Sequence, residues 1–325
     1  MGRALVRIAA TEASPLEVVA VNDLAAPAQL AKLLARDSVY GPFPGDVSVD
    51  GSDMLLGSSR IHLLAEPDVK LLPWSAMEVD VVVEATGRFT ARADAAAHLD
   101  AGAPRVVVSA PSKGADATFV MGINDDEFDP ATHIVVSNAS CTTNCLAVLA
   151  KVLDDAFGIE DGLMTTVHAY TGDQRLVDSL HKDPRRARAA ALNIIPTTTG
   201  AARTTGVVLP SLRGHLDGLS LRVPVPDASV TDLVALLRHA ATREEIDAAY
   251  RAAASVGPLV GRLVYSEDDL VSSDIVGSPA SCTYDAGFTM TQGRLVKVLG
   301  WYDNEWGYAT SLADLTAKVG TASGR

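Results

Sequence analysis

Three cysteines in 325 residues are too few, and odd in number, for a disulfide framework. Their scarcity excludes the small stapled scaffolds and suits a reducing cytoplasm. Cys141 and Cys145 stand four apart, but no second ligand pair lies near them in sequence. The spacing makes no zinc site, and no metal is expected. No apolar run approaches the roughly 18 residues of a spanning helix, so no membrane partner is expected. The opening MGRALVRIAATEAS lacks the apolar core of a secretory signal, and Val6 breaks the myristoylation pattern. Asn138-Ala139-Ser140 is then a chance glycosylation sequon. Basic residues are short too, with 27 Lys and Arg against 40 Asp and Glu, a net charge of −13. Such a surface repels nucleic acid and anionic lipid, and leaves anionic small molecules to local residues. No internal repeat, low-complexity tract or flexible linker breaks the chain.

What is present is an ordinary globular balance, 48% hydrophobic and 21% charged. The length suggests two domains. One stretch stands out, SNASCTTNC (137–145). An apolar strand-like run, HIVV, precedes it. Leu146, Leu149, Ala150, Leu153 and Phe157 follow on one helical stripe. Cys141 is therefore predicted at or near a helix N-terminus. Free N–H groups and the dipole there favour a thiolate, and pKa values of roughly 3.5–7.5 occur in such places. The alternative is a small buried core residue.

The first half reads as parallel α/β. A helix is predicted over Gly2–Ala13 and a strand over Leu16–Val21. A helical stretch follows near Leu30–Leu34, then a hairpin region between Gly45 and Gly57. Three apolar strands then end at Thr86-Gly87, Ser109 and Cys141. Continuous apolar runs mark strands covered on both faces. Their carboxyl ends carry small or hydroxyl residues, where open α/β sheets bind ligands. Asp23, after the strand at Leu16–Val21, is either the acid that binds a ribose hydroxyl or a turn residue. The second half alternates like half-exposed strands in MTTVHAYT, LSLRVPVP, LVYSEDD, CTYDAGFTM and RLVKVLGWYDN. It reads as α+β with a mostly antiparallel sheet. Thr242 and Glu245 form a capping box.

Four features could carry chemistry besides Cys141. His168 is a general base for the thiol or a structural strand-end residue. The arginines at 185, 186 and 188 are a solvated face or an anion site. Arg222 between apolar neighbours faces a carboxylate or a phosphate. Thr197–Gly200 before AARTT is a phosphate cradle or a helix cap.

Together and in order, SNASCTTNC, TVHAYTGDQ, RRARAAALNIIPTTTGAA, RVPVP and WYDNEWGY resemble phosphorylating glyceraldehyde-3-phosphate dehydrogenases. The resemblance runs from Gly2 to Val319. It implies a Rossmann-type dinucleotide domain from residues 1–140 and 305–325, and a catalytic domain from 141–304. It implies that Cys141 attacks an aldehyde to give a hemithioacetal while His168 serves as base. Hydride would pass to a nicotinamide, and phosphate would release the thioester as an acyl phosphate. Thr171, Asp173 and Arg222 correspond to the pocket for the substrate's phosphate. Ser140, Thr142, Thr199 and Gly200, with Arg186 nearby, correspond to the pocket for inorganic phosphate. The implied cofactor residues are Gly2, Arg3, Asp23, Thr86, Phe89, Ser109, Asn304 and Tyr308. The family is a homotetramer whose long loop, here about 172–196, packs near a neighbour.

Departures from the family pattern bear on the cofactor. Asp23-Leu24 resembles the NAD-preferring forms, because an Asp there repels a 2′-phosphate. Gly172 resembles the photosynthetic branch. NAD is expected, with NADP as the alternative. Erythrose-4-phosphate dehydrogenase shares the scaffold, and a cofactor-poor binding protein on this fold is the non-enzymatic rival. Family members open INGFGRIGR where this chain begins MGR. The expectation is a start truncated by about a dozen residues, since every catalytic position is filled. The competing reading is a short form that binds cofactor badly. Sequencing upstream of the Met1 codon should reveal an in-frame Gly-x-Gly segment; a stop codon or unrelated sequence there contradicts the expectation.

Overall fold

The computed structural model describes residues 1–11 and 14–321. It divides into two compact units. One comprises Met1–Thr118, Phe128–Asn138 and Leu312–Arg325, the other Phe119–Glu127 and Ala139–Ser311.

The first unit is built on the predicted apolar runs. Val82–Glu84, Val106–Val108 and Val135–Ser137 pair in parallel, with Ala117–Thr118 at the edge. Val106, Val107 and Val108 have no exposed surface, as expected of a strand covered on both faces. A second sheet runs Ala20–Asn22, Ser59–Leu64, Asp53–Leu56, Val47–Asp50. Its first pair is parallel and the rest are antiparallel. The hairpin turns at Gly51, whose φ of 62° needs a residue without a Cβ. The strand predicted over Leu16–Val21 is shorter and shifted, Ala20–Asn22, because only those residues have partners in the ladder. The predicted helix at 2–13 spans Gly2–Ala9; its positions 12 and 13 lie outside the described residues. This parallel-strand unit is of the Rossmann type.

The second unit holds, among the described residues, a seven-stranded mixed sheet. The order is Ile195–Thr198, Leu216–Val223, Ile159–Ala169, Ser229–Leu237, Leu295–Tyr302, Cys282–Gln292, Leu263–Ser266. Most pairs are antiparallel, as predicted. The pairs Ile159–Ala169 with Leu216–Val223 and Leu263–Ser266 with Cys282–Gln292 are parallel. Ser229–Leu237 was not legible as a strand. Its inward positions include Ser229 and Thr231, both buried, so hydrophobicity does not alternate along it.

The helix Cys141–Phe157 lies within this unit's core. The predicted stripe underestimates its burial: Cys145, Ala147 and Val148 are as hidden as Leu146, Leu149 and Leu153. A helix apolar nearly all round is a core helix rather than a surface one. Tyr250, on the helix Arg243–Ser255, donates to the Leu149 carbonyl at 2.8 Å and stacks on Tyr284 at 3.8 Å. Fully burying a Leu side chain is worth about 1.5–3 kcal/mol, so this helix is held by packing rather than by propensity.

Register positions the chemistry. His168 stands directly across from Arg222 in the parallel pair, and Met164 across from Gly218. A Cβ at Gly218 would lie 2.2 Å from the Met164 carbonyl oxygen. The strands can close only because that position has no side chain. Gly218→Ala should therefore cost about 2–3 kcal/mol, read as a lower urea midpoint. An unchanged midpoint contradicts this account of the strand pair.

Candidate active site

Cys141 is the first residue of its helix, and Ser140 is the cap. The Ser140 hydroxyl accepts from the Thr143 N–H at 3.1 Å. Ala139, just before, holds a positive φ of 56°, a conformation costly for a residue with a Cβ. The Tyr308 hydroxyl donates to its carbonyl at 3.1 Å. Asn144, one turn on, donates to the Ser140 carbonyl at 3.0 Å and accepts from Ser311 at 2.9 Å. The turn that presents the thiol is thus tied down on both sides.

The Cys141 Sγ lies 3.5 Å from His168 Nε2. On the ring's other side, Nδ1 is 2.7 Å from the Ala169 carbonyl oxygen. A carbonyl can only accept, so Nδ1 carries the proton and Nε2 presents a lone pair to the thiol. Arg222 Nη1 lies 3.1 Å from Nδ1, and its own hydrogens go to the Ala169 carbonyl at 3.1 Å and Thr171 Oγ1 at 2.9 Å. The Tyr302 ring packs edge-on against the imidazole at 6.0 Å. Its buried hydroxyl joins Thr142 Oγ1 at 2.9 Å and Thr166 Oγ1 at 2.7 Å.

Charge in this pair departs from the sequence expectation. Burial pushes the Cys141 thiol above its usual value; the Arg222 charge and the Thr142 N–H pull it back without cancelling that. The helix terminus therefore does not by itself make a thiolate. Burial, reinforced by Arg222, pulls the His168 imidazole down to about 3. The ground state is a neutral thiol beside a neutral base.

Arg222 has the make-up of an anion-binding group. Its Nε is buried without a hydrogen-bond partner. Leaving such a group unpaired costs roughly 1–3 kcal/mol, more for a charge, and an anion removes that cost. Thr171 donates to Asp173, which pairs with Arg186. Burial works against the Asp173 charge, yet Thr171 and Arg186 outweigh it and hold the carboxyl below its usual value. Arg186 Nε donates to Thr197 Oγ1 at 3.1 Å. Thr171, Asp173, Arg186 and Arg222 are therefore one network. Thr199 and Gly200, at the start of the helix Ala201–Val208, bond locally instead. Thr199 Oγ1 accepts from the Ala201 N–H at 3.2 Å, and the Gly200 carbonyl accepts from Thr204.

Several residues that sequence reasoning passed over complete the site. Tyr302 lies within WYDNEWGY and had no role there. Ser229 Oγ accepts from the Ala169 N–H at 3.1 Å and donates to Asn304 Oδ1 at 2.7 Å. That bond leaves the Asn304 Nδ2 group as a donor, which suits a carboxamide oxygen such as that of nicotinamide. Gln174 Oε1 accepts from the Thr171 N–H at 3.4 Å.

The remaining sequence-derived residues lie in the first unit. Asp23 follows the strand Ala20–Asn22, is exposed, and is held by the Ala25 N–H at 2.9 Å. An acceptor-only carboxylate suits a ribose diol and opposes a 2′-phosphate, which fits NAD. Thr86 and Ser109 lie just past the carboxyl ends of parallel strands, with Phe89 three residues beyond Thr86. Gly2 opens the helix Gly2–Ala9, and Arg3 pairs with Asp37 at 3.4 Å.

A Rossmann-type unit together with a unit that sets a thiol against an imidazole and a buried arginine is the make-up of an NAD-dependent oxidoreductase working through cysteine. Comparison with known proteins agrees. The family described as glyceraldehyde 3-phosphate dehydrogenase, NAD binding domain, matches residues 1–92, and its C-terminal domain matches residues 140–304. Glyceraldehyde-3-phosphate dehydrogenase 2 of Streptomyces arenae is 55% identical over 322 residues, 99% of this chain and 96% of the relative. The Mycolicibacterium smegmatis enzyme of that name is 55% identical over 98% of this chain and 96% of its own. That of Geobacillus stearothermophilus is 54% identical over 98% and 95%. The chain belongs to the glyceraldehyde-3-phosphate dehydrogenase family.

Because the resting pair is neutral, iodoacetamide should alkylate Cys141 of the ligand-free protein ever faster as pH rises, past about pH 9. A plateau below about pH 8 would reveal a preformed thiolate instead. Arg222→Leu should slow the reaction at pH 7 by about tenfold, since an opposite charge nearby favours the thiolate.

Proposed function

We propose that this protein oxidises glyceraldehyde 3-phosphate to 1,3-bisphosphoglycerate, using NAD and inorganic phosphate. The observation that carries the reading is the neutral His168 Nε2 facing the Cys141 thiol, with the unpaired Arg222 Nε beside them.

His168 takes the thiol proton as Cys141 Sγ bonds to the aldehyde carbon. Until that moment the thiolate is not required to persist, which spares a buried charge. The proton on Nε2 then passes to the former carbonyl oxygen, giving a hemithioacetal. NAD, when bound, supplies the two-electron acceptor that oxidation of this carbon requires. His168 takes the hydroxyl proton again as the carbon is oxidised, and the substrate is left as a thioester on Cys141. A phosphate oxygen then bonds to the acyl carbon, the carbon–sulfur bond breaks, and Sγ regains its proton. The Ala169 carbonyl keeps the imidazole in one tautomer throughout.

Thr171, Asp173 and Arg222 are assigned to the substrate's own phosphate, and Ser140, Thr142, Thr199 and Gly200 to the attacking phosphate, with Arg186 nearby. In the second unit, Asn304 and Tyr308 are assigned to the nicotinamide end of the cofactor. In the first unit, Asp23 is assigned to its ribose, and Gly2, Arg3, Thr86, Phe89 and Ser109 to the rim of its site. The first unit is thereby the dinucleotide domain and the second the catalytic domain.

The loop at 172–196 exposes Leu176, Leu180, Leu192 and Ile194. An apolar patch of that kind supports a subunit interface, and we assign a homotetramer. Its three cysteines are free, which supports a cytoplasmic location. No helix among the described residues is long and apolar enough to cross a membrane.

Cys141→Ser should abolish NAD reduction with glyceraldehyde 3-phosphate while leaving the urea midpoint unchanged. Retained turnover would contradict the assignment. In wild type, a higher kcat/KM with erythrose 4-phosphate would reassign the substrate.

A further inference from the structure

The first unit contains a buried polar chain with no part in the chemistry above. Glu84, at the end of the strand Val82–Glu84, is 3% exposed; His98 is 4% and Trp74 5% exposed. The Trp74 indole N–H, a donor only, gives its proton to His98 Nδ1 at 3.1 Å. The His98 proton must then sit on Nε2, which donates to Glu84 Oε2 at 3.1 Å. The other carboxylate oxygen, Oε1, accepts both from the Thr86 N–H at 2.7 Å and from the Thr86 hydroxyl. Thr86 Oγ1 in turn accepts from the Arg88 N–H at 3.1 Å. The Glu84 carbonyl accepts from the Ser109 N–H at 3.0 Å. Phe89 meets the His98 ring edge-on at 6.4 Å.

Burying a carboxylate is expensive, and apolar residues of similar volume often serve stability as well or better. Here the charge serves Thr86 directly and Phe89 through the histidine. Thr86 and Phe89, both on the cofactor rim, are held by the Glu84 carboxylate and by the histidine bound to it, while Ser109 pairs with the Glu84 main chain. We propose that Glu84, fixed by His98 and Trp74, is a positioning residue that preforms the cofactor rim and sets the affinity for NAD. The inference rests on the dinucleotide assignment above. Direction matters along the chain. The indole fixes the histidine tautomer, the tautomer makes Nε2 the donor to one carboxylate oxygen, and the other oxygen is left for the 84–88 turn. Preorganisation of this kind lowers the ordering cost of binding and leaves the reacting atoms untouched.

Glu84→Gln places an amide NH₂ against either the His98 N–H or the Thr86 N–H, so one of the two must lose its acceptor. Calorimetric titration with NAD should give a Kd at least tenfold higher than wild type. At saturating NAD, kcat should stay within about twofold, and Cys141 alkylation should keep its wild-type rate and pH profile. Trp74→Phe removes the indole donor together with part of a buried ring, and alters no rim residue. It frees the His98 tautomer and should raise Kd threefold or more, and it decides the matter if Glu84→Gln does not fold. Val106→Ala, a buried change in the same sheet outside this chain of bonds, should lower stability without moving Kd. Wild-type Kd in the folded variants overturns the inference, as does a Val106→Ala Kd that rises in step with lost stability. Failure of the wild-type protein to bind NAD would instead overturn the dinucleotide assignment itself.

Discussion

The bond from His168 Nδ1 to the Ala169 carbonyl is the constraint on which the active site depends. It is short, at 2.7 Å, and formed within the residue's own stretch of chain. It leaves Nε2 as the only free lone pair of the ring. The sheet register then sets Arg222 beside the ring, and Tyr302 closes on its edge. Each of these would be idle if the imidazole could turn over. Ser229 secures the same stretch through the Ala169 N–H and passes the constraint on to Asn304. One strand end thus orients both the His168 ring and the Asn304 amide.

Burial decides the charge state of the pair. A thiol at a helix N-terminus beside an arginine would be expected to ionise. Yet the protein mass around Cys141 and His168 penalises both charged forms, and Arg222 penalises the imidazolium further. The consequence for chemistry is that proton transfer and attack on carbon belong to one event. For stability the sign is that of a depressed histidine. His168 is neutral in both folded and unfolded chains at high pH. Its contribution is lost as pH falls from roughly 6.5 in the unfolded chain towards the folded value of about 3.

Much of this was legible beforehand, for identifiable reasons. The three valine-rich runs of the first unit could only be buried parallel strands, and they are. The apolar stripe from Leu146 to Phe157 announced the helix that Cys141 opens, and the Thr242 capping box announced another. Arg222 between apolar neighbours read as partly buried, and it is. What could not be read were features that depend on partners distant in sequence. Ser229–Leu237 hid because its inward face carries the hydroxyls of Ser229 and Thr231, the first of which holds Ala169 and Asn304. The strand ending at Asn22 proved short because pairing, which no local pattern encodes, begins only at Ala20. The thiol's charge state depends on the surrounding bulk, to which a helix-terminus argument is blind. Tyr302 lay in a motif already singled out, but its link to Thr142 and Thr166 joins residues up to 160 positions apart.

The central claim is that a neutral, Nδ1-protonated His168 faces a protonated thiol. Nitrogen-15 NMR of the ligand-free protein with labelled histidine, compared with His168→Asn for assignment, reads that state directly. At pH 7 the account predicts one protonated nitrogen, Nδ1, and a bare Nε2 for His168. Two protonated nitrogens, the imidazolium partner of a preformed thiolate, would contradict it.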